Sequence, residues 1–75
     1  MIKSGQIYRT QGMRTTVLVT AVGNEDFFVI SPDGSSARYD IRFAGTLQEN
    51  TTLLAQYPSW QEAVNSPEFN GSILQ

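Results

Sequence analysis

The chain has 75 residues, 40% of them hydrophobic, a net charge of −2, and neither Cys nor His. That length holds one domain, which buries only about 60–65% of its unfolded surface. The two missing residue types exclude disulfide staples, thiolate chemistry, and the commonest general base and metal ligand, so the composition argues against an enzyme.

Gly5 precedes Gln6-Ile7-Tyr8-Arg9-Thr10, the first predicted strand, and Gln11-Gly12 signals a turn. Met13 to Val22 is the longest β-favouring run, rich in β-branched Thr and Val. Met13, Thr15, Val17, Val19 and Ala21 share one face, and Arg14, Thr16, Leu18, Thr20 and Val22 share the other. Both faces turn apolar near the end, which predicts a strand covered on both sides there, or one that bends.

Gly23-Asn24-Glu25-Asp26 reads as a polar turn, and Phe27 to Ser31 as the third strand. Pro32-Asp33-Gly34 is the strongest hairpin signal: Pro presets φ, Asp accepts local backbone hydrogen bonds, and Gly takes positive φ. Ala37 to Phe43 alternates strictly. Ala37, Tyr39, Ile41 and Phe43 are expected on a buried face, and Arg38, Asp40 and Arg42 on a wet one. Gly45 is read as a bend, with Thr46-Leu47-Gln48-Glu49 as a short fifth strand. Thr51 to Tyr57 fits either a strand or a helical turn.

Ser59 and Glu62 have the spacing of a capping box, so a short helix is predicted from Ser59 to about Asn65. Ser66-Pro67 stops it and starts one further turn, which Asn70-Gly71 ends. The tail Ser72-Ile73-Leu74-Gln75 is read as fraying or adding to an edge. The expected architecture is mainly β: a small SH3-like barrel, or a five-stranded antiparallel meander, with a short C-terminal helix. One domain covers residues 1–75, with a β body over 1–56 and a helical cap over 57–71.

The opening Met1-Ile2-Lys3-Ser4-Gly5-Gln6 lacks the apolar core of a signal peptide, and no run approaches the ~20 apolar residues of a membrane span. The expectation is a cytoplasmic protein with no membrane partner, and the sequons at Asn50 and Asn70 are read as chance matches. All five cations, Lys3, Arg9, Arg14, Arg38 and Arg42, precede Ala44, and only Glu49, Glu62 and Glu68 carry charge after it. That asymmetry is too weak for a polyanion binder or a nucleic-acid mimic.

Four constellations are candidates for chemistry. Arg38, Asp40 and Arg42, with Arg9 or Arg14 nearby, form either a solvated face with an internal ion pair, a protein contact, or a phosphate-binding surface. Trp60, with Tyr57, Val64 and Phe69, is expected as a core plug closing one end of the barrel, against the alternative of an exposed binding anchor. Glu25, Asp26 and Asp33 lack the spaced oxygens of a calcium loop, so no metal is expected. Ser and Thr are plentiful without a base to activate them, so no catalytic residue and no cofactor is expected.

The opening Gly5-Gln6-Ile7-Tyr8-Arg9 leading into Val17-Leu18-Val19, together with Tyr57 to Phe69, resembles small uncharacterised proteins encoded by bacteriophages and prophages. The opening is also similar to the first strands of SH3-like barrels. The resemblance implies a phage accessory protein that binds and modifies a host protein, inside the bacterial cell. It carries no catalytic or ligand residues. The functional expectation is therefore a protein-binding module that inhibits or modulates a host protein. The alternatives are a nucleic-acid-binding barrel using Arg9, Arg14, Arg38 and Arg42, and a homo-oligomeric structural or minor virion component.

Overall fold

The computed structural model describes residues 2–10 and 16–70. Five strands make one antiparallel sheet: β1 (Gln6–Thr10), β2 (Thr16–Val22), β3 (Asp26–Ile30), β4 (Ser36–Asp40) and β5 (Thr51–Gln56). Their spatial order is β4-β3-β2-β1-β5, an open meander in which the last strand returns beside the first. Three short helices complete the chain: α1 (Phe43–Asn50), α2 (Trp60–Val64) and α3 (Pro67–Asn70). The Gln11-Gly12 turn, the Met13–Thr15 start of the long β run, Arg14 and the 71–75 tail lie outside the described residues.

Apolar residues on both faces of the sheet build two cores. Tyr8, Val19, Phe27 and Val29 share one face with Ile2 and with Ala44 and Leu47 of α1. Ile7 and Leu18 share the other with Ala63 of α2 and Phe69 of α3. The structure is therefore helix, sheet, helix, and α2 with α3 covers a sheet face rather than the end of a barrel. Of the two expectations for the long β run, the bend is met, whereas the cover on both sides falls at the middle of β2 and not at its end, where Ala21 and Val22 are exposed. Leu18 and Val19 are fully buried on opposite faces, and the pairing with β3 shifts register between Val19 and Ala21, so the strand bends there.

The β3–β4 hairpin forms at Pro32-Asp33-Gly34. Gly34 has φ 94°, and the Asp33 carboxylate accepts from both the backbone N–H and the hydroxyl of Ser35. Of the two readings open for Thr51–Tyr57, the strand is the one formed: β5 pairs with β1 from Gln6↔Gln56 to Thr10↔Thr51.

Two expectations are corrected. The strand predicted over Ala37–Phe43 stops at Asp40, and Thr46–Glu49 is helical, inside α1, rather than a fifth strand. Asp40 causes the first change. Its Oδ1 accepts from the backbone N–H of Arg42 at 2.9 Å, a local turn that competes with the strand ladder. The second follows from burial. Ala44 and Leu47, three apart, face the core, which overrides the helix cost of about 1 kcal/mol carried by Gly45. The C-terminal end is closed by side chains: Asn50 Nδ2 donates to the Thr46 carbonyl and Thr51 Oγ1 to that of Leu47. α1 packs against both β4 and β5, so it bridges the two edge strands that sheet hydrogen bonding leaves apart.

Gly5 fixes where the chain ends meet. Its N–H donates to the Val19 carbonyl at 2.9 Å, and its carbonyl accepts from Tyr57 N–H at 3.0 Å. It has φ 96°, and a Cβ there would lie 2.3 Å from the Tyr57 carbonyl oxygen. Beside it, buried polar groups satisfy one another. Gln6 Oε1 accepts from Lys3 N–H and from the Tyr8 hydroxyl, both at 2.8 Å, and that hydroxyl accepts from Gln48 Nε2 of α1 at 3.0 Å.

Candidate protein-docking site

The β3–β4 pairing sets Phe27 opposite Tyr39, and the β2–β3 pairing sets Phe27 opposite Val22. Cross-strand partners share a face, so the three form a row across the sheet. Phe27 is fully buried at its centre; Val22 and Tyr39 are about two-fifths exposed, at 40% and 38%. The turn at Asp40 then folds Phe43, also 38% exposed, back onto Tyr39. The Tyr39 and Phe43 rings stack with centroids 4.9 Å apart, and the Phe27 and Tyr39 rings are 5.6 Å apart. These are favoured aromatic separations, worth about 0.5–1.5 kcal/mol per pair beyond burial. The result is an apolar shelf at the β4 end of the sheet, resting on a rigid core residue.

Next to the shelf lies an open depression of about 300 Å³ lined by Asn24, Glu25, Asp40, Ile41 and Arg42. The backbone holds its two sides together, because Ile41 N–H donates to the Glu25 carbonyl at 2.8 Å. Arg42 grips Asp40 with two parallel bonds, Nε to Oδ1 and Nη2 to Oδ2, both at 3.0 Å. That guanidinium, with the Arg42 backbone N–H, holds the Asp40 carboxyl at about 2, below its ordinary 3.8. The carboxylates outnumber the cations here, so the rim is mildly acidic.

The structure disperses the residues singled out from the sequence. Arg38 pairs across the hairpin with Asp26 at 2.9 Å, and Arg42 pairs with Asp40. Arg9 is half-buried in β1, between Thr16 of β2 and Thr52 of β5. Arg14 lies outside the described residues. No shared cationic surface results among the described residues. The expected ion pair within the Arg38-Asp40-Arg42 face does form, between Asp40 and Arg42.

No protein-family model matches the chain, and neither a curated protein nor a solved structure matches it. The site therefore rests on its own geometry.

Trp60 departs from its expected role as a plug. It is 38% exposed at the start of α2, and Ala63, fully buried, with Phe69 fills the core beneath. The Ser59 half of the expected capping box forms: Ser59 Oγ accepts from Glu62 N–H at 3.3 Å. Ser66 performs the same service for α3, with its Oγ accepting from Phe69 N–H at 3.3 Å while donating to the Ala63 carbonyl at 2.6 Å. α2 packs on the opposite sheet face from Tyr39, so Trp60 and the shelf are separate exposed features. Among the described residues, no group of three or more acidic side chains could hold a metal ion, and no helix is long and apolar enough to cross a membrane.

Val22, Tyr39 and Phe43 are the functional candidates that sequence reasoning missed. Alternation places Tyr39 and Phe43 inward, on the correct side of the sheet. Nothing local signals that this side stays uncovered at the β4 end. The available clue is Asp40 two residues before Arg42, the turn that brings Phe43 back.

Proposed function

We propose that this chain is a non-enzymatic protein-binding module that modulates a host protein in a phage-infected bacterium, with the Val22-Tyr39-Phe43 shelf as its docking surface. The stacked, partly exposed Tyr39–Phe43 pair carries this reading. Aromatic side chains held rigid in an apolar patch anchor interfaces at low entropic cost. The mildly acidic rim, with Glu25 beside the Asp40–Arg42 pair, calls for a partner that offers an apolar side chain beside a Lys or Arg.

The engagement of Arg38 and Arg42 with carboxylates argues against phosphate contact as the main activity. The test is capture from bacterial lysate on the immobilised chain, with and without nuclease, beside a Tyr39→Ser/Phe43→Ser variant. The proposal expects one stoichiometric protein that survives nuclease and is lost with the variant. Recovery of nucleic acid alone, or a captured protein indifferent to the variant, overturns it.

A further inference from the structure

We infer that α1 is a strap that opens as a unit while the sheet stays folded, and that its opening dismantles the Val22-Tyr39-Phe43 shelf. As regulation of docking this rests on the docking reading above; the opening itself does not. α1 has eight residues, and an isolated helix shorter than about 12–15 residues is marginal in water. Its N-cap, Arg42, makes no side-chain cap hydrogen bond. Its first turn holds no acidic residue and its last turn no basic one, so no charge complements the helix dipole. Gly45 lies inside it, at a cost to helix formation.

Burial therefore has to hold α1, and only Ala44 and Leu47 supply it. The sheet is held from both faces, with Ile7, Leu18, Val19 and Phe27 fully buried. Local opening begins where few apolar groups are buried, so α1 opens at a lower free energy than the strands. Both ends of the strap are fixed outside it. Before it, Ile41 N–H donates to the Glu25 carbonyl at 2.8 Å, and Asp40 Oδ1 accepts from Arg42 N–H at 2.9 Å. After it, Thr52 pairs with Arg9 of β1. Opening frees the segment between these anchors and leaves the strands in place.

Two side chains of α1 reach the sheet beyond its buried pair. Gln48 Nε2 donates to the Tyr8 hydroxyl at 3.0 Å, and the Phe43 ring stacks on Tyr39 with centroids 4.9 Å apart. Phe43 is the first residue of α1, so it belongs to the strap and to the shelf at once. Unwinding α1 withdraws Phe43 from Tyr39 and lifts Ala44 and Leu47 from the core face they cover. A partner that needs the stacked pair binds the closed strap alone, and by linkage it holds the strap closed.

Native-state amide hydrogen exchange on the full chain, in low urea and with no partner present, tests this. The expected result is that the α1 amides of residues 47–50 exchange through one common opening. That exchange should run at least about tenfold faster than in β2 and β3 and depend little on urea. Gln48→Ala speeds it, and Tyr39→Ser speeds it about two- to tenfold, the worth of a stacked pair. Phe69→Leu, on the opposite face of the sheet, speeds exchange in β2 and leaves α1 unchanged. Circular dichroism of each variant checks that it is folded. Protection in α1 equal to that in β2 and β3, or exchange graded residue by residue from a fraying end, overturns the strap. Exchange in α1 that ignores Tyr39→Ser severs the strap from the shelf and overturns the regulation of docking. Failure of the docking reading would show in the lysate capture and leave the exchange result standing.

Discussion

The two edges of the sheet, β4 and β5, are built on opposite terms. β4 (Ser-Ala-Arg-Tyr-Asp) carries Arg38 and Asp40, pairs each with a counter-charge, and keeps its apolar surface on the sheet face as the Tyr39–Phe43 stack. β5 carries no charge and leaves exposed both Leu53, on the face it shares with Tyr8, and its neighbour Leu54 at the bulge. A charged edge blocks strand addition while its face stays available to a partner; an uncharged edge leaves the backbone available. The difference teaches that exposed apolar area has to be located before it is interpreted.

The β4 end depends on packing, and its largest test is Phe27→Ala. Removing the fully buried ring beneath Val22 and Tyr39 should cost about 3–5 kcal/mol, read by urea unfolding. A loss below about 1 kcal/mol would mean that the shelf has no rigid floor.

The β5 end depends on backbone approach, and Gly5→Ala tests it. The added methyl would collide with the Tyr57 carbonyl at a positive φ. The expected loss is about 2–3 kcal/mol, with early exchange of the β1–β5 amides. Unchanged protection across that pair would show that β5 is not held as described.

The element joining the ends is α1, where Gly45 is exposed and a methyl group added to it would meet nothing within 4 Å. Gly45→Ala should therefore stabilise by about 0.5–1 kcal/mol, raising the thermal midpoint of both ends together. A gain confined to one end would mean that the bridge is not shared.

The smallest effect is electrostatic. Asp40 is exposed, and its carboxyl lies at about 2 against an ordinary 3.8. A group whose folded value is depressed contributes stability that is present above about pH 4 and lost as pH falls toward 2. An NMR titration should place its midpoint near 2, moving up toward 3.8 in Arg42→Ala. A midpoint already at the ordinary value in the wild type would remove the bidentate pair.

Local signals were legible in the sequence. Pro32-Asp33-Gly34 makes its hairpin, and Ser59 and Ser66 cap their helices, because each event involves residues within a few positions of one another. The alternation over Ala37–Phe43 misled because it reports which side a residue faces, not whether the strand continues. Asp40 ends β4, while Ala37 and Ile41 still pack on the core the alternation assigned them. The candidate site was least legible. Whether Tyr39 or Trp60 is covered, and which strands lie at the edges, depends on where α1 and α2 settle, and that is decided by contacts distant in sequence.

The return of β5 to lie beside β1 has a consequence for how the chain is made. Gln6 pairs with Gln56, so β1, an interior strand of the finished sheet, waits for its second neighbour until 50 further residues exist. The hairpins β1–β2, β2–β3 and β3–β4 join strands adjacent in sequence and can form during synthesis, whereas the β1–β5 pair closes a loop of nearly the whole chain. Such non-local closure slows folding, toward milliseconds to seconds for sheets of this kind. During that interval the bare edge of the nascent sheet is β1, whose Ile7 and Tyr8 are among the residues most thoroughly hidden at the end.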